Sequence, residues 1–456
     1  MIYLSLGEAV RQGDTLYLDI HDNKPPLLYL TAALSGSLVV FRVILAFWML
    51  VTTVVFWKFA TAFSPKKERL HQISTIVFGI LTTIPLLEGN IANAELFMIG
   101  PTILAFLLLI DKKLEAKKVF LAGSLLSVST LFKVPAAFDI PAIIFLWLVV
   151  GGLNLKNIKK LAKNTLILAS GYLLPIAVTF VWYQAKGALG QYVFAAYLQN
   201  VGYLSSFRPD DVREPFLVRN LPLLIRAAIT GIGLTTLFAF RKKLSKQFIF
   251  LCAWLLLSLF AVTLSERPYP HYLVQSVPAI SLLVGILFSQ KSLEQSLTVF
   301  PLGLALFVPH YFGFWHYPTG VYYQRFSQFM LGQVSRAEYF ASFDKKVDRN
   351  YAVAKFIADT TRRTDPVFVW GDSSTIYALS RRLPPIRYVA DYHIKDFSSH
   401  EEVLKSLETT PPELIVVLPD SPAFQELSEF MGTKYIQVEE LHGAEIWTRI
   451  RSEDRK

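Results

Sequence analysis

Asp19, His21, Asp22 and Lys24 fall within six consecutive positions of TLYLDIHDNKPP, directly ahead of Pro25 and Pro26. Carboxylates and imidazoles carry protons, and an ammonium holds anionic oxygens. The two prolines keep the backbone extended and stop the following helix from running backwards. Lys24 is thereby fixed at the edge of an apolar run, where it can meet a lipid phosphate. The simpler alternative is an interfacial lysine that snorkels. Three more clusters occupy similar edges. LEGNIANAELFM carries Glu88, Asn90, Asn93 and Glu95; Glu95, at the mouth of the next apolar run, can cap a helix or serve as an acid or base. LFKVPAAFDIP brings Lys133 and Asp139 into an apolar stretch broken by Pro135 and Pro141. They form either a local ion pair or part of a functional site, since charges at such depth are costly. SERPYPHYLVQSVPAI presents Arg267, His271, Tyr272 and Gln275, which suit a phosphate or pyrophosphate or a polar turn beside an aromatic belt.

The elements that position these clusters are membrane spans. Of 456 residues, 53% are hydrophobic and only 18% charged. Apolar runs near the length of a bilayer crossing recur at 39–62, 72–87, 96–110, 118–133, 137–152, 164–182, 220–240, 247–265, 272–289 and 296–312. The sequence therefore predicts a polytopic α-helical membrane protein with about ten transmembrane helices. SPKKERLHQ, DKKLEAKK, LKNIKKLAKN and RKKLSKQ are lysine-rich connections in phase with one another, so they belong to the cytoplasm. LEGNIANAE, the segment 183–219 and SERPYPH then lie outside, and all four clusters reach the outer face. The same phase puts residues 1–25 outside, which predicts at least one further helix ahead of Met1. IYLSLGEAVRQG reads as an amphipathic helix along the membrane surface, stopped by Gly13.

The net charge of +10 does not signal nucleic-acid binding, because the basic residues sit mostly in short loops between spans. A lone cysteine, Cys252, gives no disulfide framework. Neither HExxH, CxxC nor a Walker motif is present, so a divalent metal is possible but has no motif behind it.

Residues 345–456 change character. DRNYAVAKFIADTTRR, DSSTIYALSRR and the stretches 400–410 and 422–431 read as helices; PVFVWG, IRYVAD, ELIVVLPD, KYIQVEE and AEIWTRI read as strands. This is a small extracytoplasmic α/β domain with a mostly parallel sheet, joined by a linker at 316–344 to the transmembrane domain 1–315. It can cover the site, recognise an acceptor, or act as a passive cap.

GDTLYLDIHDNKPPLLYL resembles the KPPLLY stretch of bacterial membrane glycosyltransferases of the GT-C superfold, relatives of the dolichyl-phosphate-mannose protein mannosyltransferases (glycosyltransferase family 39) and of aminoarabinose transferases that modify lipid A. EGNIANAELFM, FKVPAAFD and RPYPHYLVQSVPAI resemble that group's second acidic loop, lysine hairpin and His-Tyr stretch, in the same order. The resemblance implies inverting transfer of a sugar from a polyprenyl-phosphate donor to an acceptor at the outer face of the cytoplasmic membrane. It implies Lys24 and His271 as donor-phosphate ligands, Arg267 as their helper and Glu95 as the second acidic position. Asp19, Asp22, Asn93, Lys133, Asp139 and Tyr272 would line the site. The family's catalytic acid belongs to an Asp-Glu pair ahead of a tyrosine that Tyr3 resembles, so the general base is expected upstream of Met1. The acceptor, whether lipid, polysaccharide or protein, is not implied. A transporter or lipid flippase is the alternative, although such proteins place charges near the midplane; a non-catalytic membrane assembly protein is another.

Overall fold

The computed structural model describes residues 1–110, 114–202, 215–265, 267–289, 291–372 and 374–450. Residues 111–113 of one expected basic loop, 203–214 of the long external segment, Glu266 and Ser373 lie outside them. All ten expected spans are helical: Leu38–Phe63, Glu68–Leu81, Ala94–Leu109, Ala116–Phe132, Val134–Gly151, Leu155–Ala185, Phe216–Ala239, Lys246–Val262, Pro270–Ser289 and Val299–Tyr311. Five of these regions contain helices long and apolar enough to cross a membrane. Ala94–Leu109 and Lys246–Val262 are shorter and are buried nearly all round, as helices without a polar face must be. The outer helices turn Leu166, Leu173, Val178, Ile225 and Ile232 outward, which lipid covers at no cost.

Two features of the first loop were not expected. A short helix, Leu27–Ser35, starts at Pro26 and ends at Gly36, whose φ of 61° is left-handed; Ser37 then caps the long helix through Val40 N–H at 3.2 Å. The helix Ile2–Gln12 forms and stops at Gly13 as predicted, but protein, not lipid, covers it. Its Gly7 lies so close to Leu27–Ser35 that a Cβ there would stand 2.6 Å from the Ala33 nitrogen. Its Ser5 hydroxyl donates to the Ser374 carbonyl at 2.9 Å, and Arg363 pairs with the buried Glu8.

The soluble domain is built on a four-stranded sheet, β1 (Val367–Trp370), β2 (Leu414–Val417), β3 (Tyr435–Leu441) and β4 (Ala444–Arg449), in the order β1-β2-β4-β3. Only β1 and β2 are parallel; β4 runs antiparallel to both neighbours, which corrects the mostly parallel sheet. The left-handed pair His442 and Gly443 closes the β3–β4 hairpin. IRYVAD forms no strand. Pro384 and Pro385 precede it, and the Arg387 carbonyl accepts from His21 N–H at 2.8 Å rather than from a sheet neighbour. The expected linker holds two helices of its own, Thr319–Met330 and Arg336–Ala341, the second opened by a Ser335–Glu338 capping box.

One side of this domain does not end at its own boundary. Val367, Val369, Leu414, Val416 and Ile446 share a single buried cluster with Leu6, Ala9, Tyr17, Ile20, Tyr183 and Tyr192. Phe368, Trp370 and Ile415, pointing to the other face, form a separate core with the outer helices. The domain and the first loop thus bury their apolar surface together, which fixes their relative position.

Candidate functional site

The first loop, the Lys133 hairpin and the SERPYPH segment converge on one cavity of about 400 Å³. Tyr3, Asp22, Lys24, Lys133, Arg267, His271, Tyr272 and, from the soluble domain, His393 line it.

Lys24 is placed by a short chain of hydrogen bonds. The Tyr17 hydroxyl donates to the Lys24 carbonyl at 2.7 Å, the Lys24 N–H donates to the Tyr29 hydroxyl at 3.2 Å, and Tyr29 donates to Asp22 Oδ2 at 2.7 Å. Tyr17 is fully buried against the rings of Tyr183 and Tyr192, with centroids 5.2 and 5.3 Å away, and holds a φ of 74°. Such a conformation is costly for a bulky residue and survives because its surroundings fix it. Burial disfavours charge on Asp22, yet Lys24, His393 and the Tyr29 and Asn23 donors outweigh it and hold the carboxyl below its usual range. Burial likewise opposes the Lys24 ammonium, but Tyr3, Asp22, Tyr272 and Glu95 outweigh it and keep the amine well above the usual lysine value. Lys24 is therefore a fixed cation, with its Nζ 5.1 Å from the Tyr3 ring centroid.

His271 and Lys133 belong to a second network. His271 Nδ1 lies 2.5 Å from Glu88 Oε2, which also accepts from Asn93 Nδ2 at 2.8 Å. An ionised carboxylate only accepts, so Nδ1 carries the hydrogen and the ring is oriented with Nε2 toward the interior. Nε2 stands 3.9 Å from Glu95 Oε1. Glu95, in the first turn of Ala94–Leu109, is 2% exposed and is ion-paired with Lys133. Lys133 also sits over the Tyr272 ring, 3.4 Å from its centroid.

The expected residues separate as follows. Lys24, Asp22, Lys133, Arg267, His271 and Tyr272 line the cavity together. Glu95 stands behind Lys133 and His271 instead of lining it. Asn93 points to Glu88 and borders a neighbouring cavity. Asp139 is not the partner of Lys133; it is buried and accepts from Trp254 Nε1 at 3.1 Å. Asp19 is exposed and closes a local turn by accepting from Thr15 N–H at 2.7 Å. Sequence reasoning singled out neither Glu88 as the partner of His271 nor Tyr392 and His393 as lining residues. Glu88 has a signal in its polar loop; His393 has none, because it lies between the expected strand IRYVAD and the expected helix 400–410, in a stretch to which the sequence assigns no element. Among the described residues, no group of three or more His, Cys, Asp or Glu side chains is arranged to hold a metal ion.

No protein-family model matches the sequence, and no curated protein is recognisably similar to it. Solved structures are similar. ArnT from Cupriavidus metallidurans bound to undecaprenyl phosphate matches over 99% of this chain and 93% of its own, with a TM-score of 0.58 and 13% identity. The fold is GT-C. ArnT in the apo state matches over 98% and 92%, with a TM-score of 0.54 and 12% identity. The archaeal oligosaccharyltransferase AglB from Archaeoglobus fulgidus matches over 92% of this chain and 65% of its own, with a TM-score of 0.45 and 12% identity. The GT-C architecture accounts for the long helical bundle, the polar loops gathered at one end and the small C-terminal sheet domain beside them.

Proposed function

We propose that this chain transfers a sugar from a polyprenyl-phosphate donor to an acceptor at the outer face of the cytoplasmic membrane, with inversion. The observation that carries the reading is the convergence of Lys24, Arg267, Lys133 and His271 from three separate loops on one cavity. Two lysines, an arginine and an imidazole at the end of an apolar bundle suit a ligand with a phosphate head and a hydrocarbon tail. ArnT, which shares the fold, has been crystallised with undecaprenyl phosphate, and this supports the same class of donor here.

In the reaction an acceptor hydroxyl gives up its proton to solvent and its oxygen forms a bond to the anomeric carbon, while the bond from that carbon to the phosphate oxygen breaks. Negative charge then grows on the departing polyprenyl phosphate. Lys24 and Arg267 are placed to neutralise it, and His271, oriented by Glu88, can donate a hydrogen bond from Nε2 when protonated. Asp22 holds the Lys24 ammonium in position by charge, and its lowered pKa makes it a weak base.

The test is release of undecaprenyl phosphate from undecaprenyl-phosphate sugars by the protein reconstituted in liposomes. Lys24→Ala lowers release by about a hundredfold, a typical effect of removing one charge-stabilising group, with unfolding temperature preserved. An unchanged rate in Lys24→Ala overturns the assignment.

A further inference from the structure

The soluble domain supplies part of the cavity lining with different chemistry from the bundle. Tyr392 and His393 lie at the start of the helix Asp391–Phe397 and border the cavity together with Asp22 and Asn23. His393 is 4% exposed. Its Nε2 is 3.7 Å from Asp22 Oδ1, and its Nδ1 has no hydrogen-bond partner among the described residues. A buried ring nitrogen without a partner is rare in folded proteins, and a site that receives a ligand is one place where it persists. Burial lowers the imidazole's pKa against the pull of Asp22, so the ring is neutral near pH 7 and one of its nitrogens can accept. Asp22 accepts from Tyr29 and from Asn23 N–H at 2.8 Å, which leaves part of the capacity of a carboxylate unused. The Tyr392 ring is 41% exposed and meets the His393 ring edge-on, with centroids 4.4 Å apart.

These groups are held in place by the docked domain. Arg387 Nη2 donates to the Tyr17 carbonyl at 2.6 Å, the Arg387 carbonyl takes the His21 N–H, and Ser5 reaches Ser374. The loop that carries Lys24 and Asp22 is therefore tied to the helix that carries His393. A carboxylate, a neutral imidazole and an aromatic face suit a ring bearing several hydroxyls. They do not suit a phosphate or another carboxylate, which Asp22 would repel.

We infer that the soluble domain reads the sugar of the lipid-linked donor: His393, with Asp22 and the Tyr392 ring, forms the subsite for a sugar that bears no acid group. This rests on the donor reading given above. A phosphate held by Lys24 places its sugar next to Asp22, two residues away in the same loop and in contact with His393. A ring hydroxyl satisfies His393, a second is accepted by Asp22, and the C–H face of the ring lies on Tyr392.

The experiment compares binding of bare undecaprenyl phosphate with that of its glucosyl, galactosyl, N-acetylglucosaminyl and glucuronosyl esters, using the full-length chain in detergent. At least one neutral ester binds about tenfold more tightly than the bare carrier, as two or three added hydrogen bonds would give; the glucuronosyl ester does not. His393→Ala removes this sugar increment while its affinity for the bare carrier stays within about twofold of the parent chain. His393→Asn, which keeps a short polar group, restores part of it. Because His393 is buried and its loss can disturb the fold, Tyr392→Ala on the exposed ring carries the same test. Equal weakening of carrier and ester in both variants overturns the inference, as does a parent chain that binds the carrier but shows no increment for any neutral ester. A parent chain that binds none of these lipids overturns the donor reading itself.

Discussion

The cavity is lined by two sets of residues with opposite economies of charge. Those from the bundle are paired before any ligand arrives: Glu95 with Lys133, Glu88 with His271 and Asn93, Lys133 over Tyr272. His393, from the soluble domain, instead keeps one ring nitrogen without a partner among the described residues and stands 3.7 Å from Asp22. A satisfied network is rigid and expensive to break; an unsatisfied one waits for something to complete it. The bundle residues suit a constant chemical group, the phosphate, and the domain residues suit the part of the donor that differs between enzymes.

The strongest way to break this contrast is to leave a buried charge alone. Lys133→Met strands Glu95, and removal of one partner of a buried ion pair costs about 3–5 kcal/mol. The double variant Lys133→Met/Glu95→Gln regains most of that. Thermal unfolding in detergent reads both, and an unshifted Lys133→Met would mean the pair contributes little. Next in size is an acid effect on the domain interface. Burial lowers His21 to about 4, against Asp22, and with His393 and Arg387 adding to the lowering and Gln199 opposing it. The free imidazole titrates near 6.5, so between these values the undocked state binds more protons. Docking is therefore strongest above about pH 6.5 and weakens as pH falls toward 4, by about 3 kcal/mol in all. Hydrogen exchange at residues 15–22 and 387–397 should rise over that window, and His21→Phe should flatten the rise. A flat profile in the parent chain would remove the interface from the acid response.

Smaller effects sharpen the contrast. Glu88→Leu frees the His271 ring without deleting it, and the loss of one charge-assisted hydrogen bond should weaken undecaprenyl phosphate binding by about tenfold. Unchanged binding would make His271 a packing residue. Ser5→Ala removes one hydrogen bond between the first helix and the soluble domain, worth about 1 kcal/mol. It should raise exchange near Ser374 and leave the bundle core unaffected; protection lost across Ala94–Leu109 as well would show that the two regions are not separable.

Much of this architecture is legible from local signals. Apolar runs locate the ten helices named above, the lysine-rich connections give only an expected direction for them, and the prolines at 25, 26 and 135 mark where polar residues interrupt the apolar runs. What escapes is partnership between segments. Lys133 has Asp139 six residues away and yet pairs with Glu95, because the hairpin turns Asp139 inward to Trp254. Glu88 and His271 are 183 residues apart, and nothing in either loop names the other. His393 is hidden differently: it follows IRYVAD, whose alternating apolar residues imitate a strand although that segment meets the first loop through Arg387, and it falls in a stretch to which the sequence assigns no element. Asp19 has the composition of a site residue but closes only its own turn.

The central claim is that Lys24 anchors a polyprenyl phosphate, and equilibrium binding of undecaprenyl phosphate to the full chain in detergent tests it most directly. The parent chain should bind it saturably and Lys24→Ala at least about tenfold more weakly, with both proteins unfolding at similar temperatures. Equal affinity in the two, or no saturable binding by the parent chain, would contradict it.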